Sequence, residues 1–432
     1  MRDRDSLFRA CQAVLAMATI DLRYGDGAFP LEYDPDQFRV LETAPGGRPL
    51  SDVEINEKLS APIGSHQIEE IVNSGETVLL VVPDATRATG CGQVVNLIVR
   101  RLIANGVAPF DIRIVFATGI HRKVTESEKS AILTPFIAQR IKTLDHDARD
   151  LARLVQVGHT SDKTEVSLNR ALFEHDHIFL IGGINFHYFA GFTGGRKLIC
   201  PGLASSRTIA ATHKLAFDCD TMTRRSGVGT AKLAGNAVHD AFVEAAAFAR
   251  PSFTVNAVVN EAGDVTDLDC GEWQESHRVA CEKFKEGHTV SIDGKREVVV
   301  VSCGGSPHDL DFIQAHKALE AASKACSEGC EIILIAECRE GLGRSGFLDW
   351  FDGETSRHLA RRLCEKYQVT GQTAWSLLEK NERFRVKVAT ELDDETLAKM
   401  RMTASDIRET RRIKGTKRGY IIPAGAKVLV IS

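Results

Sequence analysis

The chain has 432 residues, 43% of them hydrophobic and 26% charged, with a formal net charge of −4. That length accommodates two or three domains with cores of their own, and the mixing of acids and bases excludes the basic stripe of a nucleic-acid-binding surface. No apolar run, EIILIAEC (331–338) included, is long enough to span a bilayer.

The chain opens on MRDRDSLFRACQAVLAMA, with early arginines and a short apolar run ending in an A-x-A-like triplet. Cys11 and Gln12 break that run, so the stretch reads against a secretory signal and for a cytoplasmic chain. Three later stretches share one form. ETVLLVVPD (76–84), DIRIVFATG (111–119) and HDHIFLIGGIN (175–185) are buried β-type runs that end in DATR, GIHR and FHYFAGFTGGRK. The helical pattern QVVNLIVRRLIANG (93–106) lies between the first two and stops at a glycine. Strands alternating with helices imply a parallel sheet, whose ligands bind beyond the carboxyl ends of the strands. Asp84, Thr86, Arg87, His121, His187 and Lys197 would then converge on one edge.

SFTVNAVV (252–259) and DVTDLDC (264–270) read as a strand pair turning at Glu261-Ala262-Gly263, followed by charged helical sequence to about 288. REVVVVSCGG (296–305), a helix over 311–326 and EIILIAEC start a second α/β unit. The expected organisation is two α/β domains, 1–288 and 289–432, each with a doubly wound, largely parallel or mixed sheet. The last strand, 426–432, closes the second sheet or returns to the first. The eleven cysteines are odd in number and scattered, without a CxxC pair, so reduced thiols are expected rather than a disulfide framework or a zinc site. Cys200 reads as a buried filler near Lys197.

The loop HYFAGFTGGRK (187–197) carries the densest chemistry. It is not a phosphate-binding GxxxxGK[ST] loop, because Arg196 and Leu198 stand at two defining positions, and it lacks GxGxxG spacing. Its glycines equally suit a plain tight turn or a close approach of backbone to an anion. Lys197 beside Arg196 suits an anionic ligand or a covalent attachment. His121, His187 and His213, each taken alone, are as well explained by caps or core contacts. Two histidines at strand ends near one crevice could serve as acid and base on opposite sides of a substrate carbon. The pair His175 and His177 starts a strand, away from the ligand edge, and reads as structural.

Taken in order, DATR (84–87), ATGIHR (117–122), HYFAGFTGGRK, His213, GNAVHD (235–240), QAHK (314–317) and GLGRSGFLDWF (341–351) resemble the lactate racemase family. The resemblance runs from about residue 20 almost to the end. It implies a nickel-pincer nucleotide, a pyridinium-3-thioamide-5-thiocarboxylic acid mononucleotide holding nickel through two sulfurs and a ring carbon. Lys197 would be linked to one arm, and His213 would be the fourth nickel ligand. The resemblance also makes Asp84, Ala85, Thr86 and Arg87 cofactor-side residues, His121 and His187 the acid/base pair, and Arg87, Gln314 and Lys317 the substrate-binding residues. Trp350 would border the pocket, and the site would lie in the interdomain cleft.

The activity implied by the resemblance is that of an isomerase. It would invert C2 of a 2-hydroxy acid by reversible hydride transfer through a 2-keto acid. The substrate stays open: lactate, a larger or dicarboxylic hydroxy acid, or a sugar acid epimerised at C2. A non-catalytic pincer-binding protein would keep Lys197 and His213 but need neither acid/base histidine. Cofactor-biosynthesis enzymes are the implied partners, with no nucleic acid and no membrane.

Overall fold

The computed structural model describes residues 17–43, 46–85, 89–353, 355–406, 410–413 and 417–432. The arginine-rich amino terminus, Cys11, Thr86 and Arg87 lie outside the described residues.

A hairpin of Ala18–Tyr24 and Gly27–Tyr33 leads to a short strand, β1 (Phe38–Val40). The first α/β unit then contributes β2 (Val78–Pro83), helix α1 (Cys91–Ala104), β3 (Ile112–Ala117), β4 (Lys142–Asp145), β5 (His177–Gly183) and helix α2 (Ser206–Lys214). Strands β6 (Phe253–Val259) and β7 (Val265–Gly271) complete a six-stranded sheet of order β7-β6-β5-β2-β3-β4. Only the β6–β7 pair is antiparallel; the others are parallel. Every residue of β2 is buried because both of its faces are covered. Val78, Leu80 and Val82 pack on one side with α1, and Leu79 and Val81 on the other with Ile209 of α2. This is the period-two alternation of a strand under two layers of cover, and each such aliphatic side chain contributes roughly 1.5–3 kcal/mol on burial.

The second sheet uses β8 (Arg296–Ser302), β9 (Cys326–Ile335), β10 (Arg385–Ala389), β11 (Thr403–Ala404) and β12 (Gly419–Ile422), in the order β11-β10-β9-β8-β12-β1. All five pairings are parallel. One face packs against helices, with Val299 and Val301 among Leu319, Ala322, Leu359 and Leu378. The other face, with Val298 and Val300, is covered by Leu22, Phe29 and Leu31 of the amino-terminal hairpin. So the expected α/β fold with two sheets is present, but a hairpin rather than helices covers one face of the second.

Two boundaries differ from the expectation. The division at 288 assigned the whole amino-terminal part to the first unit, whereas residues 18–40 cover and edge the second sheet. A three-residue strand with one buried aromatic carries little signal of its partner. The last strand, Leu429–Ile431, joins neither large sheet and pairs in parallel with Thr289–Ser291. The helix expected over 311–326 is also broken, into α3 (Phe312–Ala315) and α4 (Ala318–Ala325), with Lys317 at the join.

The cysteines depart from the reduced state expected of them. Cys219 is disulfide-bonded to Cys364, Cα atoms 5.7 Å apart and 145 residues distant in sequence, so no local spacing could announce the pair. Cys91, Cys200, Cys270, Cys281, Cys303 and Cys338 are buried thiols. Among the described residues no helix is long and apolar enough to cross a membrane.

Candidate active site

The loops after β2, β3 and β5 meet α2, α3 and the α3–α4 join around a cavity of about 180 Å³. Asp84, His121, His187, Lys197, His213, Gln314 and Lys317 all line it. The sequence-predicted residues that are described therefore converge, except Ala85 and Trp350. Ala85 lines the wider cleft outside, together with His121 and Gln314. Trp350 instead sits in the helical core of the second sheet, where the Arg362 guanidinium covers its ring at 4.3 Å. The His175–His177 pair is structural, as read: His177 Nε2 lies 2.8 Å from Glu76 Oε2, and His175 Nδ1 lies 2.8 Å from the Ala171 carbonyl.

His121 and His187, as neutral rings, are held in opposite tautomers. His121 Nδ1 lies 2.7 Å from Oδ2 of buried Asp84. A carboxylate only accepts, so Nδ1 carries the proton and Nε2 presents a lone pair. At His187 the polarity reverses. The Ala190 N–H donates to Nδ1 at 3.3 Å, which places the proton of the neutral ring on Nε2. Tyr188 stacks on His187 at 5.4 Å, and Phe189 meets it edge-on at 4.3 Å, fixing the ring plane.

Arg196 and Lys197 divide their work. Arg196 is 1% exposed and donates to the carbonyls of Ala190 and Gly194 and to His277 Nε2, bracing the loop from beneath. Burial pulls its pKa down to about 10. Lys197 turns to the cavity, with Nζ 5.7 Å from the rings of both Phe189 and Phe242. His213, in the last turn of α2, rests against the same two rings at 5.0 and 5.3 Å. Burial first, and the Lys197 charge second, lower its pKa to about 3, so the imidazole is neutral. Its Nδ1 has no hydrogen-bond partner. Sequence reasoning had no way to find Phe242, and quoted Phe189 without a role.

Gly194 allows this loop to form. Its φ is +74°, and an added Cβ would lie 2.9 Å from Ile184 Cδ1 and 3.1 Å from the Gly183 carbonyl oxygen. Gly194→Ala is expected to destabilise the protein by about 1–3 kcal/mol, read as a lowered denaturant midpoint.

Lys317 and Gln314 are set from the second unit. The Asp311 carboxylate caps α3 by accepting from the Gln314 N–H at 2.8 Å, and Lys317 donates to Gln314 Oε1. One turn beyond, Glu320 receives Arg224 at 2.9 Å and Lys380 at 3.1 Å, and Arg224 also reaches the Tyr188 carbonyl at 3.4 Å. Arg224 follows α2 in the chain, so this pair joins the two units beside the cavity. Burial raises the Glu320 pKa, but the Lys380 and Arg224 charges outweigh it and hold the carboxyl well below its usual range. A depressed carboxyl stabilises the fold above its unfolded pKa of about 4.3 and loses that contribution as pH falls towards the folded value. The melting temperature of the wild type should therefore drop more steeply below about pH 4.3 than that of Glu320→Gln.

Comparison with known proteins places the chain in a family. Residues 24–224 match the lactate racemase N-terminal domain, and residues 292–430 match the lactate racemase C-terminal domain. The chain belongs to the lactate racemase family. The lactate racemase of Lactiplantibacillus plantarum is 32% identical over 337 residues, 77% of each chain. That of Thermoanaerobacterium thermosaccharolyticum is 27% identical over 339 residues, 78% of each. In fold, this family member resembles the lactate racemase apoprotein from Thermoanaerobacterium thermosaccharolyticum, with a TM-score of 0.85 at 24% identity, covering 96% of this chain and all of the other. It also resembles a protein from Thermotoga maritima, with a TM-score of 0.69 at 21% identity, covering 89% of this chain and all of the other.

Proposed function

We propose that the protein is a racemase or epimerase that inverts C2 of a 2-hydroxy acid. The observation that carries this reading is the pairing of opposite tautomers, His121 with an Nε2 lone pair and His187 with an Nε2 proton, on one 180 Å³ cavity. One imidazole takes the hydroxyl proton of one enantiomer, and the other returns a proton to the opposite face. Lys317, with Arg87, pairs with the substrate carboxylate, and Gln314 holds Lys317 in place. The two units work as 46–288 and 289–432, the second completed by residues 18–40.

The residues present fit a nickel-pincer nucleotide. Among the described residues no cluster of three or more metal-ligating side chains occurs, and the pincer would bring most of the nickel ligands itself. His213 is a buried, neutral imidazole with an unpartnered nitrogen, suited to complete a square-planar nickel centre. Lys197 beside it would hold the nucleotide, and Asp84 and Ala85 with Thr86 would border it. When bound, that group supplies a hydride acceptor for C2. The protein's share is to orient the carboxylate, move two protons and keep the site dry through Phe189, Tyr188 and Phe242.

Incubation of the cofactor-loaded protein with single enantiomers of lactate, 2-hydroxysuccinate, phenyllactate, 2-hydroxybutyrate and gluconate, with proton NMR and chiral chromatography as readouts, tests the reading. Inversion at C2 of one of them is the expected result. Full pincer and nickel content without inversion of any would count against it.

A further inference from the structure

Outside the cavity the cleft widens into a space of about 720 Å³ that shares Ile120, His121 and Gln314 with it. Three arginines, Arg122, Arg149 and Arg344, line this space, and so do Glu128, Asp311 and Glu340. The charges are not simply matched. Glu128 grips Arg122 at 2.8 and 2.6 Å and caps its own helix at the Thr125 N–H. Asp311 is engaged by the Gln314 N–H and faces Gly343, where an added Cβ would lie 2.6 Å from the carboxyl carbon. Arg149 and Arg344 have no ion-pair partner among the described residues.

Arg344 is half-buried and anchored by a bond of 2.5 Å from Nη2 to the Ile120 carbonyl, one residue from His121. Arg149 stands exposed at the rim of the same space; after burial itself, its charge lowers the Arg344 pKa, and the Asp311 carboxylate offsets part of that. Two like charges held together without an anion destabilise one another, and an arriving anion relieves that repulsion. The first carboxylate of a 2-hydroxy acid goes to Lys317. A substrate ending in a methyl group would leave the arginine pair facing water. We propose that Arg344 and Arg149 are specificity-determining residues that receive a second anionic group, so that the substrate is a short 2-hydroxy acid carrying a distal carboxylate or phosphate. This rests on the C2-inversion reading and narrows its substrate class.

The test compares kcat/KM of the loaded enzyme for lactate, 2-hydroxybutyrate, 2-hydroxysuccinate and 3-phosphoglycerate, in the wild type and in Arg344→Met, Arg344→Lys and Arg149→Met. The wild type is expected to prefer a dianionic acid by at least about tenfold. Preference for 2-hydroxysuccinate assigns a carboxylate, and preference for 3-phosphoglycerate a phosphate. Arg344→Met should lower kcat/KM for the dianionic acid at least about tenfold more than for lactate, Arg344→Lys should restore part of the preference, and exposed Arg149→Met should lower it less. Equal or better turnover of lactate by the wild type overturns the proposal. So does an Arg344→Met loss that is as large for lactate as for the dianion, because the residue would then act through Ile120 and His121. If no acid is inverted, the inversion reading fails on its own. Calorimetry with succinate on wild type and Arg344→Met then decides the arginine pair: binding lost in the variant supports it, and no binding to the wild type overturns it.

Discussion

Alanine at position 121 or 187 is expected to lower C2 inversion by roughly 10²–10⁴-fold and to leave pincer and nickel content at the wild-type level. The size of the effect comes from the tautomers. His121 Nδ1 is committed to Asp84, so only Nε2 can take a substrate proton. His187 accepts at Nδ1 from the Ala190 N–H, so only Nε2 can give one. Neither ring can do both jobs in one passage, because inversion needs a proton removed on one side and delivered on the other. Asp84→Asn is expected to act in the same direction through His121, because an amide can donate to Nδ1 and move the proton to Nε2. Chiral chromatography of the product, with mass spectrometry of the bound nucleotide, separates lost chemistry from lost cofactor. A wild-type rate in either alanine variant would remove that histidine from the reaction.

Loss of bound nickel is the expected result for His213→Ala. The imidazole is buried between Phe189 and Phe242, neutral at any pH well above about 3, and unpartnered at Nδ1. Under the proposed reading it is the protein's own donor to the metal. Metal analysis of purified, loaded protein gives the readout independently of activity. Lys197→Ala is the companion: it should keep the imidazole but lose the covalent mass increment on the chain. Stoichiometric nickel in His213→Ala would overturn the ligand assignment.

Buried strands were the legible part of the fold. β2, β3 and β5 are uniform apolar runs that end in polar, glycine-bearing turns, and those turns are where the site lies. His121, His187 and Lys197 could be located because strand order alone brings the carboxyl ends of parallel strands together. What escaped depends on partners far away in sequence. Arg196 looked like half of a cationic pair, but the carbonyls of its own loop and His277, 81 residues on, claim it. Cys219 and Cys364 show no spacing that links them. Trp350 sits in a motif shared with the family, yet its side chain packs into the helical core. Arg344 is indistinguishable in sequence from any solvated arginine until its bond to the Ile120 carbonyl, beside His121, is seen.

The second sheet also constrains the order in which the chain can be built. Its edge strand β1 is made long before its partner β12, with Phe38 paired to Gly419 and Val40 to Ile421. Until β8 and β9 are made, the apolar hairpin face of Leu22, Phe29 and Leu31 has no sheet to cover. The first α/β unit can close while still tethered, as amino-terminal domains do, but the second sheet is complete only once β12 is made. A chain that stops before residue 296 would thus carry a completed first unit with an uncovered, aggregation-prone hairpin.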